Sequence, residues 1–225
     1  MQPFFNYFAL NLRIVDNTSK MISLLGKMRK QMNGAVADAM FYYGENYGLN
    51  YGVSLPTVRE IAQAEGHDHA LAEYLFKQQV RELKLAAFHI ADPTLINASN
   101  SALWANGITN SELAEEAAFA LLRHSPAVME IVAEWLRSES EWVVYAAMMA
   151  AARSSAISTA EIESVVDIVS RYPDSRPIAQ GAVAMLAAAY LNVELQGVVK
   201  SSIEALNNCA ATDYIREEMS WRMEF

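Results

Sequence analysis

Apolar residues recur with a helical period along almost the whole chain, and residues 133–152 show the pattern most clearly. The second half of this stretch is apolar on two opposite helical faces, formed by Trp142, Tyr145, Ala146 and Met149 on one side and by Val144, Ala147 and Met148 on the other. A helix with two apolar faces is covered on both of them. The pattern therefore predicts an inner helix of a stacked array, entered through a charged turn in which Ser138 or Ser140 is the N-cap.

The same plan returns at other places in the chain. Residues 72–88 repeat Ala-Glu-aromatic-Leu, a polar break and an Ala-Ala helix, and residues 177–190 carry a weaker copy. Helix pairs repeated at such a period are typical of HEAT-like α-solenoids, in which each pair buries its apolar face against its neighbours. Because no strand-length alternation occurs, we predict an all-α fold, a right-handed superhelix of HEAT-like antiparallel helix pairs. The alternative is that Ala-rich helices resemble one another by composition alone.

The hydrophobic pattern and the turn residues together set the helix boundaries. Ser54 is an expected cap, as is Asn110 or Thr109, and Gly44, Gly48 and Gly52 predict a short frayed segment and a loop. No stretch has the composition of a long linker, so a single domain over residues 1–225 is expected, with residues 1–20 as a candidate added element. The predicted helices cover residues 19–33, 35–43, 54–65, 69–77, 79–91, 99–106, 110–124, 126–138, 141–154, 159–172, 177–191, 194–207 and 212–221.

Charge narrows the range of partners. The formal net charge is −9, which argues against tight, general nucleic-acid binding, because that affinity depends on Lys and Arg neutralising phosphates. The basic residues are concentrated near the N-terminus, where Lys27, Arg29 and Lys30 lie on an amphipathic helix and are candidate phosphate contacts. A solvated helix face is the alternative explanation for these cations.

The remaining composition favours a cytoplasmic protein without a metal or a cofactor. Cys209 is the only cysteine, so no intrachain disulfide is possible and a reducing compartment is expected. His67 and His69 lack a convincing third ligand nearby. The most apolar run, residues 177–191, is too short for a membrane span, and no signal peptide is expected.

Four blocks of sequence carry a resemblance to a known family. They are YGVSLPTVR at residues 51–59, VRELKLAA at residues 80–87, Trp135 followed by EWVVYAA at residues 141–147, and the segment 214–221 around Arg216-Glu217. In order and spacing, over residues 21–222, the chain resembles the DNA alkylation repair glycosylase family (AlkD-like). The resemblance implies a superhelix of HEAT-like pairs whose concave face holds duplex DNA and excises cationic alkylated bases.

The resemblance also implies positions for a site. Cleavage of an N-glycosidic bond builds positive charge on the sugar, so the family places a carboxylate there, shelters the cation with tryptophans and holds phosphates with cations. In the family's Trp-Asp-x-x-Asp segment, Ser111 stands at the Trp, Glu112 at the first Asp and Glu115 at the catalytic Asp. Three further family positions, an Arg, a basic residue and a second sugar-facing Trp, correspond to Tyr145, Gly181 and Met185.

These substitutions predict a catalytically degenerate member of the family that binds DNA structures or a protein partner. One alternative is a glycosylase of the 3-methyladenine or 7-methylguanine type that uses Glu115, helped by Tyr145 or by Tyr43, Tyr47 and Tyr51. Another is a scaffold for proteins alone. Glu115 also has a purely structural explanation, because with Glu112 and Glu116 it forms an acidic helix start that the helix dipole stabilises. The oligomeric state is left open.

Overall fold

The computed structural model describes residues 2–44 and 47–224, with the backbone alone for residues 2–15. Within this part of the chain the secondary structure is helical, and the single β-bridge joins Leu49 to Val80. The prediction of an all-α fold is therefore confirmed. The α-helices are α1 (Gln2–Arg29), α2 (Gly34–Tyr42), α3 (Leu55–Gln63), α4 (His69–Phe76), α5 (Arg81–Ile90), α6 (Ala102–Ala105), α7 (Ser111–Glu116), α8 (Val128–Trp135), α9 (Glu141–Ala151), α10 (Thr159–Arg171), α11 (Arg176–Tyr190), α12 (Gln196–Glu204) and α13 (Ala210–Met223).

Contacts divide the chain into two compact units, Met1–Asp92 and Pro93–Phe225, and each is described by itself. In the first unit α5 is the inner helix and packs against α1, α3 and α4. Its side chains are buried from Arg81 to Phe88 without a break. The helix is thus enclosed on every side, as expected for the second helix of a HEAT-like pair.

In the second unit α9 has the corresponding inner position. It packs against α8, α7 and α11, and α11 in turn packs against α13. Most of both predicted apolar faces of α9 is buried: Val144, Ala146, Ala147 and Met148 are each 0% exposed, while Trp142 and Met149 at the ends of one face are partly exposed. The prediction of an inner helix covered on two sides is confirmed.

Several helices begin at the predicted capping residues. The Ser54 side chain accepts a hydrogen bond from the Thr57 N–H at 3.3 Å, and the Asn110 side chain accepts one from the Leu113 N–H at 3.0 Å. Each bond satisfies a backbone donor that the first helical turn leaves without a partner. At α9 the prediction was only partly right: Ser140 is the N-cap residue, but its side chain makes no capping bond, and the Ser138 Oγ accepts from the Ser140 N–H instead.

Other boundaries differ from the prediction. Helix α1 is 28 residues long and begins at Gln2, well before residue 19. The predicted helix 99–106 shortens to α6, because the side chains of Asn97 and Asn100 accept hydrogen bonds from nearby backbone N–H groups and form turns there. The predicted helix 110–124 is broken after α7 into a π-helical turn, Ala117–Leu121, and a 3₁₀ turn, Leu122–His124. Such π-turns are often found at functional sites.

In the described residues no single helix is long and apolar enough to cross a membrane, although α11 together with Val193–Glu204 reaches that length and composition with a bend of 119°. The expectation of a single domain stays a prediction.

Candidate functional site

The two residues at the family's carboxylate and arginine positions touch each other. Glu115 lies on α7 and Tyr145 on α9, and the Tyr145 hydroxyl donates a hydrogen bond of 2.9 Å to Glu115 Oε1. Tyr145 is 5% exposed, whereas Glu115 is exposed. Burial, reinforced by the hydrogen bond to Glu115, raises the pKa of the Tyr145 hydroxyl. The tyrosine therefore acts at neutral pH as a neutral donor that orients the carboxylate.

Helix α11 closes the site from one side. A Cβ atom at Gly181 would lie 3.1 Å from Tyr145 Cδ2 and 3.0 Å from Met148 Sδ. The tyrosine ring thus occupies the space that any side chain at position 181 would enter. Met185, at the position of the family's second sugar-facing Trp, is 0% exposed and belongs to the core. The substitutions at 145 and 181 fit each other sterically.

Two tryptophans of the family-like blocks have different surroundings. The Trp142 ring lies edge-on to the Tyr145 ring, with centroids 6.3 Å apart, and is partly exposed. Trp135 is 2% exposed, and its indole N–H donates to the Ser101 Oγ at 3.1 Å. Trp135 is therefore a satisfied core residue, and Trp142 is the aromatic side chain that flanks the Glu115–Tyr145 pair.

Ser111 and Glu112 lie in the first turn of α7, and both are partly buried. Glu112 stands where the positive end of the helix dipole favours an acidic residue, while Glu116 at the end of the same helix is only 1% exposed. The structure therefore places Ser111, Glu112 and Glu115 on one short helix, and it joins only Glu115 to Tyr145.

Sequence reasoning missed one cation beside this pair. The Arg153 guanidinium lies over the Phe119 ring, with its Cζ 3.5 Å from the centroid, and it donates to the Met149 carbonyl. Burial and the nearby positive charge of Arg123 lower the pKa of Arg153. Arg153 follows Tyr145 by about two helical turns, so the helical period was the signal that could have found it. Phe119 itself lies in the π-helical turn that follows α7.

The three predicted phosphate contacts belong to the first unit. Lys27 Nζ lies 2.5 Å from Glu65 Oε1, so a carboxylate already balances its charge. The Arg29 guanidinium lies 6.0 Å from the centroid of the Tyr51 ring, and Lys30 is exposed in the turn after α1. The role of these three residues stays a prediction.

The family-like block at residues 51–59 has a structural explanation. The Glu82 carboxylate, 0% exposed, accepts hydrogen bonds from the backbone N–H groups of Tyr51 and Val53, and the buried Arg81 donates to the Val53 carbonyl. Gly52 has φ +66°, and a Cβ there would lie 2.0 Å from the Asn33 carbonyl oxygen. Only glycine fits this close approach.

Formal charge is distributed unequally between the two units. Residues 1–92 contain nine basic and nine acidic residues, whereas residues 93–225 contain eight basic and 17 acidic ones. The whole net charge of the protein therefore comes from the second unit. No group of three or more His, Cys, Asp or Glu side chains in the described ranges is arranged to hold a metal ion.

The helical fold agrees with what comparison with known proteins finds. The family model for the DNA alkylation repair enzyme matches residues 24–189, so the chain belongs to that family. A solved structure described as "a new family of proteins related to the HEAT-like repeat DNA glycosylases with affinity for branched DNA structures" matches with a TM-score of 0.68 and 16% identity. That match covers 88% of this chain and 93% of the other, and it confirms the HEAT-like repeat fold. Among curated proteins no sequence is significantly similar to the chain.

Proposed function

We propose that this protein is a member of the DNA alkylation repair family that binds branched DNA without excising bases. The observation that carries the proposal is the hydrogen bond from the Tyr145 hydroxyl to Glu115. It links the residue at the family's carboxylate position to an uncharged side chain at the family's arginine position. The site therefore presents no cation at position 145.

Base excision by the family's chemistry requires more than a carboxylate. The oxocarbenium-like sugar needs an anion at a defined place and aromatic faces around it, and a misplacement of about 1 Å can cost on the order of a hundredfold in rate. Glutamate is longer than aspartate by one methylene, Ser111 provides no aromatic face, and Met185 is buried in the core. Trp142 is an aromatic residue that remains beside Tyr145.

The preference for branched DNA is supported by the fold and by the charge. The solved relative is described as having affinity for branched DNA structures, and this chain matches it over 88% of its length. Tight binding to any duplex needs many phosphate contacts, and the second unit, with 17 acidic residues against eight basic ones, opposes them. Recognition of a particular DNA shape by few contacts is compatible with this charge.

The proposal is tested with two assays on the same purified protein. A gel-shift titration compares linear, nicked and four-way-junction DNA of equal length at two salt concentrations, and a release assay measures free 7-methylguanine and 3-methyladenine from alkylated DNA. We expect tighter binding to the junction, weaker binding to each DNA at higher salt, and release no faster than without protein. Release above that background, or equal affinity for linear DNA and the junction, contradicts the proposal.

A glycosylase that uses Glu115 is the second candidate, favoured by the exposure of Glu115 at the family's carboxylate position. In that case Glu115→Gln abolishes release while Glu112→Gln does not. A scaffold for basic proteins is the third, favoured by the acidic second unit. Absence of binding to every DNA in the titration would support the scaffold.

A further inference from the structure

Helix α2 is apolar and yet unburied. Its sequence, GAVADAMFY, contains one charged residue, and none of its nine residues is buried. Phe41, Tyr42 and the following Tyr43 are 70%, 83% and 81% exposed, and the two tyrosine rings lie edge-on with centroids 5.3 Å apart. Three consecutive exposed aromatic side chains are unusual on a protein surface and mark a place where another molecule docks.

Helix α2, which carries the aromatic segment Phe41 to Tyr43 at its end, is hydrogen-bonded to the loop at residues 50–53. The Asn33 side chain caps α2 by accepting from the Val36 N–H, and the Asn33 N–H donates to the Tyr51 carbonyl at 2.9 Å. The Asn50 amide contacts the Met40 sulfur at 3.4 Å. The loop that makes these contacts is itself held by the Glu82 carboxylate. Helix α2 is therefore bonded to this loop at its start and near its end, and the aromatic rings of Phe41, Tyr42 and Tyr43 are exposed to solvent.

Cations lie at the other end of α2. Arg29 and Lys30 are exposed at the end of α1, three or four residues before the Asn33 cap, and the Arg29 guanidinium is near the Tyr51 ring. Carboxylates already balance two cations further back on α1, because Lys20 contacts Asp16 and Asp68 and Lys27 contacts Glu65. A helix of nine residues is about 13 Å long, roughly the rise of four stacked base pairs. The cations at one end of α2 and the aromatic rings at the other could therefore contact phosphates and bases about four base pairs apart on the same DNA.

We propose that Phe41, Tyr42 and Tyr43 stack on the base faces exposed at a DNA branch point, while Arg29 and Lys30 hold phosphates of the adjoining arm. Every base has a π-face, so aromatic stacking tolerates any sequence and selects bases that are not covered by a neighbour. A branch point exposes such faces and a continuous duplex does not. The charge argues for DNA as the occupant, since the exposed cations Arg29 and Lys30 lie one helix length from the aromatic segment, in the unit that carries no excess of acidic residues. This inference rests on the proposed function and names the residues that would give it its selectivity.

The experiment compares matched variants of the full chain on a four-way junction and on linear duplex of the same length. Tyr42→Ala with Tyr43→Ala is expected to weaken junction binding about tenfold or more and duplex binding less than twofold. Tyr42→Phe with Tyr43→Phe keeps the aromatic faces and should bind the junction within about twofold of the wild type. Trp221→Ala, which removes an exposed aromatic residue on α13, is the control and should change neither affinity. Circular dichroism confirms the fold of each variant.

The cations have a separate readout. Arg29→Gln with Lys30→Gln should weaken binding to both DNAs and reduce the slope of log affinity against log salt by about 1.8 on duplex, because two phosphate contacts are lost. Lys77→Gln, at an exposed lysine of the same unit, is the control.

Three results would overturn the stacking inference. If the wild type prefers the junction and the double alanine variant retains that preference, the inference fails while the proposed function stands. If the wild type has no preference for the junction, the proposed function fails first and the inference with it. If the alanine variant converts a dimer to a monomer in sedimentation and leaves DNA affinity unchanged, the aromatic segment is an interface between copies of the chain.

Discussion

The inner helices α5 and α9 follow the same sequence plan, but their first turns have different roles. In α5 the side chains of Arg81, Glu82 and Lys84 are buried, and all three make hydrogen bonds to backbone groups outside the helix. In α9 the corresponding turns carry Trp142 and Tyr145, of which the first is partly exposed and the second reaches the exposed Glu115. One unit thus uses polar side chains to hold a loop, and the other uses aromatic ones to line the candidate site.

Because of this difference, we expect substitutions at the family-like positions to have different effects on stability in the two units. A buried charge is tolerated only when its partners are complete, and the Glu82 carboxylate has its full set in two backbone N–H groups and Arg81. Substitution there would cost stability directly. The Tyr145 hydroxyl bonds to a carboxylate that water also reaches. We therefore expect substitution of Tyr145 to cost less stability than substitution of Glu82.

Removing the carboxylate in the first unit should have the largest effect. Glu82→Ala leaves a buried Arg81 and the Tyr51 and Val53 N–H groups without their acceptor, and we expect a loss of roughly 3–5 kcal/mol in the free energy of unfolding. Urea denaturation measures the loss, and hydrogen exchange of the Tyr51 and Val53 amides should accelerate with it. The matched change in the second unit, Glu141→Ala, should cost about 1 kcal/mol at most, because Glu141 is only partly buried. Equal losses of stability in the two variants would contradict the view that buried polar contacts hold the first unit more strongly than the second.

The close approach at Gly52 should give the next largest effect. Gly52→Ala places a methyl group against the Asn33 backbone at positive φ, and we expect a loss of about 2–3 kcal/mol. Gly66→Ala is the control, since Gly66 has φ +71° with no atom within 4 Å of the added Cβ, and should cost about 1 kcal/mol. Thermal unfolding of the two variants separates the steric effect from the conformational one. A Gly52→Ala protein as stable as the control would mean that the loop is not held as described.

Tyr145→Phe should have the smallest effect, less than about 1 kcal/mol at pH 7, since it removes one hydrogen bond to an exposed carboxylate. Its signature is pH dependence. Burial and the Glu115 bond raise the pKa of Tyr145, so above about pH 10 the unfolded chain has released a proton that the folded protein keeps. The free energy of unfolding of the wild type should therefore fall more steeply than that of the variant between about pH 10 and 11. Parallel curves from urea denaturation at these pH values would show that Tyr145 is not held as a neutral donor.

Much of the fold could be predicted because it depends on local signals. The caps at Ser54 and Asn110, the inner position of α9 and, in the described residues 47–52, the predicted loop were all correct. The break after α7 was missed because an apolar run of this kind fits an α-helix and a π-turn equally well. Of the candidate site, the resemblance supplied Glu115, Tyr145 and Gly181, and the structure brought them together. Arg153 was missed since its ring partner, Phe119, lies more than thirty residues away in sequence.

The sequence by itself determined that this is an all-α chain of helix pairs with an acidic second half, because helical periodicity, capping residues and charge are local or additive properties. Only the tertiary structure decided which polar side chains are buried and which are presented to solvent. Glu82 in the first turn of α5 and Glu115 near the end of α7 are both glutamates on helices of the same array. Packing buries the Glu82 carboxylate with its hydrogen-bond donors and leaves the Glu115 carboxylate at the surface. Burial depends on which other parts of the chain pack against each side chain.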